Sequence, residues 1–206
     1  MGLVEGPGWA TRTAKAAVDL VGGLVLAVLL LPLICLIAVT IRLSLGPDVI
    51  FRQVRIGLNG EPFVVFKFRT MAPDRRSAVD GPAPAVERRL THKTTADPRH
   101  TRLGCVLRKY SLDELPQVVN ILRREMSLVG PRPELPSIVA KYEPWACDRH
   151  LVRPGLTGLW QILARGEGMM QDFVSLDIDY VRRASLTLDL MILARTIPAL
   201  LRHRGT

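Results

Sequence analysis

Two carboxylates sit side by side in Ser111-Leu112-Asp113-Glu114-Leu115-Pro116-Gln117. Adjacent acids can divide labour: one attacks as a nucleophile or moves a proton, while the other stays charged or holds a metal ion. Their position in the chain suggests the start of a helix. Ser111 and Glu114 have the S-x-x-E spacing of a capping box, and Pro116 offers a second register, because proline favours the first helical turn. In both registers Asp113 and Glu114 lie where unpaired backbone N–H groups favour anions, carboxylates and phosphates alike. Arg99, Arg102, Arg108 and Lys109 crowd the approach. A plain helix cap would carry the same residues, so the rest of the chain has to decide between the two accounts.

Other basic residues stand in rigid or periodic settings. Lys67 and Arg69 alternate with Phe66 and Phe68, which puts the cations on one face of a strand. That face is either solvated or a clamp for phosphate. Arg132 lies in Gly130-Pro131-Arg132-Pro133, which can be neither regular helix nor central strand. A stiff turn lowers the entropy lost when its guanidinium binds an anion. Arg153 opens a glycine-rich turn, Arg153 to Gly158. The cysteines Cys35, Cys105 and Cys147 are three, far apart and without C-x-x-C spacing, so neither a disulfide framework nor a zinc site is indicated. The histidines His92, His100, His150 and His203 lack ligand spacing.

These residues need elements to hold them. The 206 residues are 48% hydrophobic but only 5% aromatic, with net charge +9 and a mean hydropathy of +0.20. A basic, aliphatic chain points to anionic lipid or nucleic acid as partner. Few aromatics and no nucleic-acid motif leave nucleic acid without support. Leu20 to Ile41 carries no charge and is long enough to cross a bilayer. Pro32 interrupts it, and both flanks are basic: Arg12 and Lys15 before, Arg42, Arg52 and Arg55 after. Flanks of like charge favour entry and exit by one leaflet. The expectation over residues 1–45 is a re-entrant helix hairpin broken at Pro32, with a full span as the alternative, followed by a cytosolic-face domain over 46–206. Asp19 should sit at the interface near Lys15.

Within the second part, Asn59-Gly60 between two β-prone runs predicts a hairpin. Ala72 to Thr95 reads as a surface loop. Helices are expected over Arg102–Lys109, from Ser111 with a stripe of Leu115, Val118, Val119 and Leu122, over Glu134–Asp148, over Asp172–Arg183 and over Leu188–Leu201. The last is amphipathic and suits either the membrane interface or the core. The fold class expected is α+β, mostly helical, with one basic β-hairpin and interfacial amphipathic helices.

Five stretches in order carry a resemblance: Lys67–Met71 (KFRTM), Asp97–Arg99 (DPR), Arg108–Gln117, Met126–Glu134 (MSLVGPRPE) and Arg153–Gln161 (RPGLTGLWQ). Together they resemble the bacterial sugar transferase family, the monotopic phosphoglycosyl transferases, in the small form without extra membrane helices. The likeness runs from about Lys15 to the C-terminus. Leu31 stands where family members often carry a serine before the helix-breaking proline, Ala16 replaces a frequent arginine, and residues 163–168 follow the family pattern loosely.

The resemblance implies transfer of a sugar-1-phosphate from a nucleoside diphosphate sugar, usually a UDP-sugar, to polyprenyl phosphate. The implied route is two-step and covalent, uses Mg²⁺, releases UMP, and initiates exopolysaccharide or glycoconjugate assembly. Asp113 matches the nucleophile and Glu114 its metal-side partner, with both carboxylates beside the ion. Lys67, Arg69, Arg108, Pro131, Arg132, Pro133 and Arg153 match positions near phosphate or nucleotide. A phospholipid membrane is the implied partner, the bacterial inner membrane the implied location, no nucleic acid is expected, and a homodimer is allowed. A non-catalytic membrane scaffold of the same fold is the competing account. Roles for Asp177, Asp179 and Asp189 stay open.

Overall fold

The computed structural model describes residue 4 and residues 6–72, 99–164 and 173–202. The expected loop between Ala72 and Thr95, the Asp97-Pro98 pair, residues 165–168, and His203 and Arg204 fall wholly or mostly outside them. Among the described residues the chain is mostly helical with two small sheets.

Helix α1 spans Trp9–Leu45 as one continuous helix with Pro32 inside it, so the break expected at Pro32 is not seen: the neighbouring turns continue the helix around the one donor that proline lacks. Its contacts with the rest of the chain form one stripe at helical spacing. Asp19, Gly23 and Leu26 face Ile121 and Leu128, while Leu33, Ile34, Ile37, Ile41 and Leu45 face Phe68 and Leu107. Gly22 and Gly23 permit the approach, because a Cβ at either would lie 2.7 Å from Leu128 or 2.9 Å from Ile121. The other face is bare: Val28, Leu29 and Leu31 are each more than half exposed. This is the one described helix long and apolar enough to cross a membrane.

The hairpin forms as its sequence dictates. Strands β1 (Ile50–Ile56) and β2 (Pro62–Phe68) pair antiparallel from Ile50↔Phe68 to Ile56↔Pro62. The turn over Leu58–Gly60 needs positive φ at Asn59 (55°) and Gly60 (82°), which explains the Asn-Gly pair. Helix α2 (Arg102–Lys109) is capped by Thr101, whose hydroxyl accepts from the Gly104 N–H.

Beyond α2 the structure differs from the sequence expectation. Ser111 takes a left-handed conformation (φ 56°) and makes no side-chain cap. The capping box is therefore not formed, since a cap needs extended backbone at that residue. Leu112–Gln117 is a 3-10 helix, and α3 is only Val118–Leu122. Val118 and Ile121 are the buried residues of its stripe, whereas Val119 is 40% exposed. A chain switching from three to 3.6 residues per turn shifts the face by one position.

Two stretches that read as turns contain three-residue strands. β3 (Ser127–Val129) pairs parallel with β4 (Gly155–Thr157). Strands this short show no period-two pattern. The helix expected over Glu134–Asp148 is reduced to α4 (Pro136–Val139) and a 3-10 helix over Pro144–Leu151. Helices α5 (Leu159–Leu163), α6 (Val174–Arg183) and α7 (Leu186–Arg202) follow. Helix α7 buries Leu188, Ile192 and Ala199 and leaves Leu190 and Ile197 exposed, so it packs on the core with one face and offers a second apolar face.

Asp19 is buried rather than interfacial. It accepts from Ser127 Oγ at 2.9 Å and the Leu128 N–H at 3.0 Å, with Lys15 at 3.8 Å. Lys15 is held more closely by Asp189 of α7, at 2.6 Å. Asp189 thus pairs across the chain, not locally. Asp19→Ala should leave the buried Leu128 N–H without its acceptor, while Ser127 Oγ keeps the Val129 carbonyl at 2.8 Å, and lower stability by roughly 1–3 kcal/mol. Thermal unfolding in detergent would show it, and an unchanged Tm would remove Asp19 from the seam between α1 and β3.

Candidate active site

The 3-10 helix over Leu112–Gln117 explains how adjacent carboxylates come to differ. Three residues per turn send successive side chains about 120° apart. Glu114 consequently turns toward β2 and the proline-flanked turn, and Asp113 does not. Lys67 Nζ donates to Glu114 Oε1 at 2.9 Å. Arg132 grips the same carboxylate with both arms, Nη2 to Oε1 at 2.5 Å and Nη1 to Oε2 at 3.2 Å. Asp113 takes a hydrogen bond from its own backbone N–H and has no side-chain partner among the described residues.

Two residues one bond apart therefore titrate in opposite directions. Burial raises the Asp113 carboxyl, the Glu114 charge raises it further, and Lys67 and Arg132 offset only part, leaving it at about 6. Burial also pushes Glu114 upward, but the paired cations Arg132 and Lys67 outweigh it and hold the carboxyl well below the usual range. Burial lowers the Lys67 ammonium although Glu114 opposes the shift. The Glu114 charge raises the Arg132 guanidinium. Divergent neighbours of this kind mark sites where groups take distinct chemical roles.

Asp113 and Glu114 could serve as shared ligands of a divalent cation. Glu114 has about one lone pair left after three hydrogen bonds, and both Asp113 oxygens are open to ligands. No group of three or more His, Cys, Asp or Glu side chains suited to a metal occurs among the described residues. Substrate and water oxygens would have to complete the shell, as Mg²⁺ permits.

Lys67 and Arg132, the latter flanked by Pro131 and Pro133, thus meet at Glu114. The remaining sequence candidates have other contacts. Arg69 donates to the Leu45 carbonyl at the end of α1 and lies 3.6 Å from Asp48. Arg108 reaches Cys105 Sγ at 3.6 Å on its own helix. Arg153 lines a small cavity beside α1 with Ala16, Asp19 and Arg124. Pro32 is exposed on α1.

The chain also contains supports that sequence reading did not find. Arg55, buried on β1, donates to the Pro133 carbonyl and to Glu134 Oε1, both at 3.2 Å. Arg149, 1% exposed, donates to the Arg132 carbonyl at 2.8 Å and to Asp177 Oδ2 at 2.5 Å. Asp177 is thus a core ion-pair partner, and Asp179 pairs with Arg183 on the surface of α6. A signal for Asp177 did exist: it falls in the stripe of Val174, Ile178 and Val181, and an acid on a buried face requires a buried partner.

A sequence model of the family described as bacterial sugar transferase matches residues 10–203. The exopolysaccharide production protein ExoY of Rhizobium meliloti is 42% identical over 198 residues, covering 94% of this chain and 88% of that protein. The UDP-glucose:undecaprenyl-phosphate glucose-1-phosphate transferase of Caulobacter vibrioides is 40% identical over 203 residues, covering 95% of this chain and 72% of that protein. The Escherichia coli protein of the same name is 38% identical over 194 residues, which is 90% of this chain and 40% of that protein.

The electrostatics give a stability signature. A carboxyl whose folded pKa lies near 6 rather than 3.8 binds protons more tightly folded than unfolded. Ionised Asp113 therefore destabilises the fold above pH 6, and the penalty disappears as pH falls through 6 toward 4. In metal-free protein, Asp113→Asn should raise stability at pH 7.5 by roughly 2–3 kcal/mol at most, with the gain fading below pH 5. Glu114→Gln should do the opposite, leaving two buried cations without their anion. Thermal melts of both variants across pH measure this, and equal shifts in the same direction would contradict the asymmetry.

Proposed function

The chain belongs to the bacterial sugar transferase family, and from that footing we propose that it transfers a sugar-1-phosphate from a UDP-sugar to polyprenyl phosphate at the inner face of the bacterial inner membrane. The observation that carries the reading is the pairing of an unshared Asp113 with a Glu114 clamped by Lys67 and Arg132. Relatives named for glucose-1-phosphate transfer to undecaprenyl phosphate, and for exopolysaccharide production, agree with it.

The step assigned to Asp113 is in-line attack by a carboxylate oxygen on the phosphorus that carries the sugar. The bond from that phosphorus to the bridging oxygen breaks, UMP leaves, and an acyl-phosphate links Asp113 to the sugar. A polyprenyl phosphate oxygen then attacks the same phosphorus, the bond to Asp113 breaks, and the carboxylate returns. Two steps let a soluble donor and a lipid acceptor use one site in turn. Catalysis of phosphoryl transfer rests on positioning and charge neutralisation, and Arg132 and Lys67 here offset the two carboxylates themselves. Asp113, Glu114, Lys67 and Arg132 sum to zero formal charge, so the donor's two negative charges arrive uncompensated. Mg²⁺, held by Asp113 and Glu114 together with the diphosphate, would supply that compensation.

Membrane attachment follows from α1. Its apolar face is bare, and its two ends seat on the same following domain: Asp19 against β3, Ile41 beside β2 and α2. About 33 Å of helix path separates them, which in a full span would place the ends on opposite sides. Both seats on one domain support a helix that lies along one leaflet over a full span, with α1 continuous through Pro32.

Purified protein given UDP-glucose or UDP-galactose with undecaprenyl phosphate should release UMP. Asp113→Asn should abolish release, because an amide is a poor nucleophile. Donor alone should leave a sugar-phosphate adduct on the wild-type chain by intact mass. Full activity in the variant would refute the role of Asp113, whereas a wild type that releases no UMP would leave the scaffold reading standing. For topology, probes at Gly2 and Thr206 should label from the same side of sealed vesicles; opposite sides would mean a true span.

A further inference from the structure

Arg132 lies between two prolines, and proline has no N–H. The turn can therefore be held chiefly through its carbonyls, and all three are taken by donors from elsewhere in the chain. The Pro131 carbonyl accepts from the Gly155 N–H at 2.8 Å. The Pro133 carbonyl accepts from Arg55 at 3.2 Å. The middle carbonyl, that of Arg132 itself, accepts from Arg149 Nη2 at 2.8 Å.

Arg149 is far more immobile than a surface arginine. It is 1% exposed, pairs with Asp177 (2% exposed) on α6 at 2.5 Å, and donates through Nη1 to the Tyr142 hydroxyl at 2.8 Å. Tyr142 also places its ring 5.7 Å from the guanidinium carbon. A buried arginine and aspartate are expensive to desolvate, and a well-packed apolar pair is often as stable. Core stability alone therefore does not account for Arg149. What an apolar pair could not do is donate to the Arg132 carbonyl.

The path from Arg149 to the carboxylates is short. Arg149 fixes the Arg132 backbone, the Arg132 guanidinium grips Glu114 with two hydrogen bonds, and Glu114 adjoins Asp113. We propose that Arg149, locked by Asp177 and Tyr142, is a positioning residue that sets the Arg132 guanidinium in its bidentate grip on Glu114 for the transfer reaction. This rests on the functional reading above. Arg149 acts through Arg132 and touches neither the carboxylate pair nor, by its burial, the donor.

The test uses the full chain in detergent or nanodiscs. Arg149→Met alone would strand Asp177 in the core, so the decisive variant is Arg149→Met with Asp177→Leu, which removes both buried charges. Its melting temperature should stay near that of the wild type. Its kcat for UMP release should fall roughly ten- to hundred-fold, the range a 1 Å misplacement can produce, while KM for the UDP-sugar moves less than about threefold. Arg132→Ala should mask the effect: combining it with the double substitution should lower kcat no further than Arg132→Ala alone. Arg149→Lys should recover part of the loss. Amide hydrogen exchange over residues 127–135 should accelerate in the double substitution. Multiplicative losses with Arg132→Ala, wild-type kcat in a folded double substitution, or unchanged exchange would overturn the proposal. If the wild-type chain turned over neither donor, the functional reading would fall and the exchange measurement would decide the positioning by itself.

Discussion

The Glu114 carboxylate is where three distant parts of the chain meet. Lys67 arrives from β2, Arg132 from the proline-flanked turn, and Glu114 itself from the 3-10 helix. Burial penalises each charge, and only mutual pairing keeps all three ionised. Here the pairing wins, because Glu114 stays below its ordinary range despite the desolvation that pushes it upward. The consequence falls on Asp113. It shares the burial and feels the Glu114 charge, but forms no ion pair of its own among the described residues. Its neighbour's satisfaction is what leaves Asp113 exposed to chemistry.

Around this junction the scaffold solves a placement problem. Arg132 must hold still on a segment that can neither join a helix nor enter a central strand. The two three-residue strands anchor its N-terminal side, since Ser127–Val129 pairs with Gly155–Thr157. Buried arginines hold the other two carbonyls. Lys67 is placed differently, by the hairpin alternation that also buries Val65 on the same face. The cation is thereby drawn into the protein rather than left on a solvated face.

Sequence logic reached the parts governed by local rules. The Asn59-Gly60 turn, the apolar α1 and the catalytic-looking pair were all legible, because turn chemistry, hydropathy and residue type are local properties. The amphipathic pattern of α7 was legible too, although its burial of Leu188 and Ile192 against the core was open until the fold was seen. What failed to show were arrangements set by tertiary contact. Ser111 carried a capping-box spacing, yet the reversal after α2 put it in a left-handed conformation that cannot cap. Strands β3 and β4 were too short for a period. Arg149 has no motif at all, and its importance lies in a carbonyl it reaches across the chain. Arg108 and Arg153 were singled out by family position, and their described contacts are with Cys105 and with a small cavity beside α1.

The seam between α1 and the domain has a bearing on how the protein is made. Lys15 of α1 is tied to Asp189 of α7, 174 residues later. Asp19 is tied to Ser127 and Leu128, more than halfway along the chain. During synthesis α1 therefore emerges with a buried-type carboxylate and an ammonium whose partners do not yet exist. The seam of α1 therefore closes only after the rest of the domain has been made, and its Lys15 contact waits on the docking of α7.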